Sequence, residues 1–135
     1  MIGEMNKELL DAVLETMPVE FSVVDADDKV VAWNKHETRI FKRPMAVIGR
    51  TVQQCHPPKS LYKVEKILSE MKDGTMEKAR FWIDLGKGPD GDKQKIMIEY
   101  YALRDAEGNY KGCLEASQNI SEIQALRGER RLLEE

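Results

Sequence analysis

The chain is short of most features that mark a specialised class. It has two cysteines, Cys55 and Cys113, among 135 residues. Two thiols cannot build a disulfide framework, so reduced cysteines in a cytoplasmic protein are the expectation. No apolar run approaches the roughly 20 residues that a membrane-spanning helix needs. The first residues lack the basic-then-apolar order of a secretory signal. Basic residues number 21 and acidic ones 24, a net charge of -3. Without a concentrated basic face, nucleic acid is not an expected partner. Histidine occurs only at His36 and His56, which leaves little for a metal site of three or four convergent ligands. No repeat or low-complexity tract occurs. What remains, 41% hydrophobic and 33% charged residues, fits one soluble globular domain.

The apolar pattern divides the chain. Leu10, Val13, Leu14 and Met17 share a face of a helix predicted over Asn6–Met17, capped by Asn6 and ended by Pro18. Two β-rich runs follow, Glu20–Val24 and Val30–Trp33, joined by the acidic turn Asp25–Lys29. From Lys35 to Lys72, short helical pieces are broken by Pro44, Gly49 and Pro57-Pro58. The longest spans Ser60–Met71, with Ser60 as its expected cap and Asp73-Gly74 as its stop. Strands are predicted at Glu77–Leu85, Lys95–Arg104 and Tyr110–Gln118, with loops "GKGPDGDK" and "DAEGN" between them, and a polar helix at Ser121–Glu135. The order implies an α+β fold, a five-stranded antiparallel sheet with helices packed on one face.

The stretch "GRTVQQCHPPKS", Gly49–Ser60, holds the most reactive-looking residues. Cys55 and His56 are neighbours, so their side chains diverge in any regular element. That geometry suits neither a metal pair nor a nucleophile with its base, and no enzyme activity is expected. Pro57 and Pro58 make the segment a helix-ending turn. At the mouth of a pocket, such a turn brings Cys55 and His56 against a ligand.

The order of elements, with "VVDADDKVVAWN", "IGR" at Ile48–Arg50, "LRDAEGNYKG" at Leu103–Gly112 and "QNIS" at Gln118–Ser121, resembles a PAS domain over residues 6–122. "CHPPKS" and "FWIDL" further resemble the PAS segment of bacterial proteins that also carry a hemerythrin-like domain. The resemblance implies a sensory and dimerising module with a pocket between sheet and helices. It divides the chain into an N-terminal flanking helix (1–18), a PAS core (19–120) and a C-terminal signalling helix (121–135). It also implies a homodimer and a further domain or partner protein that receives the signal.

Cofactor patterns of that family match poorly. In photoactive flavin domains the reactive Cys directly follows Gly-Arg-Asn; here Val52 stands there and Cys55 lies three positions on. A non-covalent flavin stays open but is not favoured. Haem-binding relatives take an axial His from the middle of the long helix, where this chain has Tyr62, Lys63 and Val64. Haem would have to use His56 or Cys55, and is not favoured either.

The strand Lys95–Arg104 alternates, which puts Ile96, Ile98, Tyr100 and Ala102 on the covered face. The last strand admits two readings. Its own apolar parity turns Leu114 and Ala116 inward; comparison with flavin-binding PAS domains turns Cys113, Glu115 and Ser117 inward. The candidate ligand-binding set is therefore Ile96, Ile98, Tyr100, Glu115, Ser117, His56 and Cys55. The leading expectation is non-covalent binding of a small apolar or amphipathic molecule; the alternative is a ligand-free dimerisation module.

Overall fold

The computed structural model describes residues 1–86 and 91–134. The chain begins with α1 (Lys7–Thr16), and the Asn6 side chain accepts the Leu9 amide at 2.8 Å. β1 (Glu20–Asp25) and β2 (Val30–Trp33) form the first hairpin. Its turn is closed by Asp25, whose carboxylate accepts the amides of Asp27 and Lys29. An irregular stretch then leads through one 3-10 turn, Met45–Val47, to α2 (Val52–Cys55). Thr51 and Gln54 form a capping box at its start.

The long helix α3 runs Pro58–Asp73. It starts two residues before the predicted cap: Pro57 holds the N-cap, Pro58 is the first helical residue, and Ser60 lies inside the first turn. Proline is well suited there because its fixed φ is helical and its missing N–H has no partner in any case. Gly74 ends the helix at φ 85°, a left-handed conformation natural to glycine. Three strands follow, β3 (Lys78–Leu85), β4 (Gln94–Arg104) and β5 (Tyr110–Asn119), and then α4 (Ser121–Gln124). Half of the predicted loop "GKGPDGDK", residues 87–90, lies outside the described residues.

The five strands form one antiparallel sheet in the order β2-β1-β5-β4-β3, the expected α+β arrangement. β1 and β5 are neighbours at its centre, although they come from opposite ends of the chain. Residues directly opposite in an antiparallel pair share a face. The register sets Val24 against Cys113, Ser22 against Glu115, and Glu20 against Ser117. Across β5, Cys113 faces Ala102, Glu115 faces Tyr100, and Ser117 faces Ile98. This side carries the core: Leu68 and Met71 of α3 pack with Cys113, and Val24, Val64, Ile67 and Tyr100 surround them.

The comparison-based reading of β5 therefore holds, and the apolar-parity reading does not. Leu114 and Ala116 point to the other side of the sheet, where both are half-buried. That second face is not plainly polar. It holds Glu99, which takes hydrogen bonds or ion pairs from Arg80, Lys78 and Tyr101. Burial alone would push the Glu99 carboxyl up, but these donors outweigh it and hold it at about 2.

The C-terminal helix is far shorter than expected. Only Ser121–Gln124 is helical, and Gly128 adopts φ 61°. Leu126, Leu132 and Leu133 are almost fully exposed. With no surface to bury them, a short polar helix lacks the packing that would offset its nucleation cost.

One polar cluster is buried at the edge of the core. Glu20 and Arg39 form an ion pair at 3.3 Å, and both side chains are at most 4% exposed. Arg39 also donates to the carbonyls of Phe41, Phe21 and Asn34 and to the Ser22 hydroxyl. Glu20 accepts the amides of Ile40 and Phe41. Burial lowers the Arg39 pKa, and the charge of Glu20 opposes that. Beside them Asn34 accepts the Phe21 amide at 2.7 Å and donates to the carbonyls of Leu14 and Val19. That one side chain ties α1 to the first hairpin.

Breaking a buried pair strands its partner charge. Arg39→Met should therefore cost about 3–5 kcal/mol in urea unfolding. Adding Glu20→Gln should recover part of that loss. A single-variant cost below about 1 kcal/mol would show that the pair is not holding this part of the fold.

Candidate functional site

A cavity of about 70 Å³ lies between the inner face of the sheet and the helices α2 and α3. It opens into a cleft of about 660 Å³ toward β3. The two share Arg43, Cys55, His56, Val64, Ile67, Tyr100 and Glu115. The cleft alone exceeds the roughly 300 Å³ from which small-molecule sites begin.

Each wall has a local cause. Tyr100 and Glu115 stand opposite each other on β4 and β5, so strand alternation aims both at the cavity. Val64 and Ile67 lie three residues apart on α3 and fall on one face. His56 closes α2 with its amide donating to Val52, in the extended conformation that a following proline favours. "CHPP" is thus a turn between two helices, and it sets Cys55 and His56 on the cavity wall.

The sequence-derived candidates separate accordingly. Tyr100, Glu115, His56 and Cys55 line both cavity and cleft, and Ile98 lines the cleft. Ile96 and Ser117 are buried on the same side of the sheet but form no part of either wall. Arg43 was missed. Its Nη2 donates to Glu115 Oε2 at 3.0 Å, across 72 residues of sequence. Periodicity has no hold on a residue in an irregular segment, and the only available signal was an inward carboxylate in need of a donor.

This pair settles the electrostatics of the wall. Glu115 is partnered by a guanidinium, so the wall carries a matched pair of charges rather than a lone carboxylate. Tyr100 is pushed up, mainly by burial and then by the charge of Glu115, and remains a phenol. Burial raises the Cys113 thiol to about 12, with Glu115 adding to it. His36 accepts the Trp33 indole N–H at 3.0 Å. Among the described residues, no group of three or more His, Cys, Asp or Glu side chains is placed to hold a metal ion.

Porphyrin and isoalloxazine rings are both too large for the inner cavity. On the cleft, α3 presents Ser60, Lys63, Val64 and Ile67, none of which ligates iron. His56 and Cys55 at the mouth, and Tyr100 on β4, are the wall residues of a kind that ligates haem iron. These residues do not fit haem in the helix-borne manner.

The family model for the PAS domain matches residues 10–121, and the chain belongs to that family. The C-terminal domain of a Streptococcus mutans protein is 29% identical, with a TM-score of 0.83 over 94% of each chain. A PAS domain from Colwellia psychrerythraea is 16% identical, with a TM-score of 0.59 over 85% of this chain and 97% of that one. VqmA of Vibrio cholerae, solved bound to DPO, is 18% identical, with a TM-score of 0.60 over 87% of this chain and 59% of that one. No curated protein matches the chain at a significant level. PAS domains are in general sensory and signalling modules. Among the described residues, no helix is long and apolar enough to cross a membrane.

The two thiols should differ sharply. Cys55 is exposed and Cys113 buried, so a thiol reagent at neutral pH should modify one cysteine in the native protein and both in urea. Rapid modification of Cys113 in the native state would show that the core opens at β5.

Proposed function

We propose that the chain is a sensory module that binds a small amphipathic molecule non-covalently between sheet and helices, and passes the occupied state to a neighbouring domain or partner. The observation that supports this reading is the Arg43–Glu115 ion pair standing on the wall of a largely apolar cavity. A domain used only for dimerisation has no need of such space, because cores pack to crystal-like density. The fold shared with DPO-bound VqmA is consistent with the reading. His56 and Cys55 take the place of mouth residues, and haem through either of them is the rival outcome.

The module works as a homodimer. Leu9, Leu10 and Val13 of α1, with Met17 at its C-cap, are 36–52% exposed, an apolar stripe that a second copy would cover. The receiving domain is, on the likeness of "CHPPKS" and "FWIDL", a hemerythrin-like one, and the whole works in the cytoplasm.

Native mass spectrometry of freshly purified, unheated protein tests both parts. The expected spectrum is a dimer with one small molecule per protomer, in a colourless solution. A monomer without added mass would contradict the proposal. So would a Soret band lost in His56→Ala, which would establish the haem sensor instead.

A further inference from the structure

Three polar groups on the cavity wall keep hydrogen-bonding capacity that the protein does not use. Arg43 gives one Nη2–H to Glu115, yet its Nε–H is buried with no acceptor. Glu115 accepts through Oε2, and its Oε1 has no donor among the described residues. Tyr100, directly opposite Glu115, lines the same cavity, and its hydroxyl makes no hydrogen bond among the described residues. Of the three, the Arg43 Nε–H is the fully buried one, and a buried donor on a charged group is rarely left unmet. Because Nη2 and Oε2 are joined, the free Nε–H and the free Oε1 sit at the two ends of one bridge. The wall therefore offers one free donor and one free acceptor, carried by the two members of a single ion pair.

Charge narrows the class. Arg43 and Glu115 cancel each other, and the deeper Glu20–Arg39 pair cancels likewise. Lys63 lies on the rim of the cleft and is exposed to water. A ligand with net charge would bring an uncompensated ion among Val64, Ile67, Phe81 and Ile98, where desolvation opposes it. An uncharged ligand avoids that cost. Its apolar body has a place between α3 and the Phe81–Tyr100 pair, whose rings lie 5.6 Å apart.

We infer that the cavity selects an uncharged amide-type molecule, a lactam in its simplest form. Its carbonyl oxygen accepts the Arg43 Nε–H and its adjacent N–H donates to Glu115 Oε1. The Tyr100 hydroxyl completes the carbonyl's second lone pair. A carboxylate carries no donor for Glu115, and an ammonium carries no acceptor for Arg43. This inference rests on the ligand-binding reading above and names the ligand's class.

Calorimetric titration of the full chain tests it, with 2-pyridone as the probe and benzoate, benzylamine and toluene as controls of similar size. We expect 2-pyridone to bind at one site per chain, at least about tenfold tighter than any control. Glu115→Leu leaves Arg43 as an unpaired cation, so the order should reverse and benzoate should bind better than 2-pyridone. Tyr100→Phe should weaken 2-pyridone by roughly three- to tenfold. Far-UV circular dichroism confirms that both variants are folded. A control that matches 2-pyridone in the native protein would overturn the ligand class while leaving the sensory reading intact. Failure of every probe, with no molecule retained in native mass spectrometry, would overturn both. Failure of every probe alongside a retained charged molecule would overturn the class alone.

Discussion

The buried ion pair between Glu20 and Arg39 is the constraint on which the site depends. Between β2 and α2 the chain makes no sheet or long helix, and such a segment has little to hold it in place. Here a strand supplies the anchor. The Glu20 carboxylate takes two consecutive backbone amides, and Arg39 reaches three carbonyls and a hydroxyl. Two charges are costly to bury, and only full hydrogen bonding of this kind makes the pair tolerable. Four residues further on, the same segment delivers Arg43 to Glu115 on β5. A second ion pair, standing on the cavity wall, thus inherits its position from the first.

The inner face of the sheet trades packing for space. In a filled core, β1 and β5 would set large apolar side chains against α3. Apart from Val24, they instead present Glu20, Ser22, Cys113, Glu115 and Ser117. Small and polar residues there leave a void under Val64 and Ile67 and give its wall a charged end. α3 still packs closely at Cys113: Met71 is fully buried and Leu68 nearly so. One helix therefore closes the core at its C-terminal end and walls the cavity nearer its start. The apolar stripe of α1 lies outside this arrangement, and α1 is joined to it by Asn34, which donates to Leu14, and by Glu15, which accepts the Lys35 amide.

Element order and type were legible in the sequence because each element carries its own punctuation. Asn6, Asp25, Gly74 and the "DAEGN" turn each set a local geometry that needs no tertiary context. The strands differed from expectation by a residue at their ends. Tyr100 and Ile98 followed from alternation alone. The parity of β5 did not, because Leu114 and Ala116 are half-buried on the opposite face and mimic a core pattern. Nor could periodicity find Arg39 or Arg43: both lie in an irregular segment, and their partners Glu20 and Glu115 are set by tertiary contact. The C-terminal helix failed for the converse reason. Its spacing is helical, but nothing covers it, and pattern without a partner surface does not hold a helix.

Hydrogen exchange of Arg39→Lys against the native chain tests the dependence of the site on the buried pair. Lysine keeps the charge and loses the fork that reaches several carbonyls. The account predicts that the Ile40 and Phe41 amides lose protection by roughly tenfold or more while those pairing β4 with β5 keep theirs. The cross-peak of the Arg43 Nε–H should shift with them. Unchanged protection at Ile40 and Phe41, with Arg43 undisturbed, would mean that the segment holds itself and that the buried pair is not what builds the site.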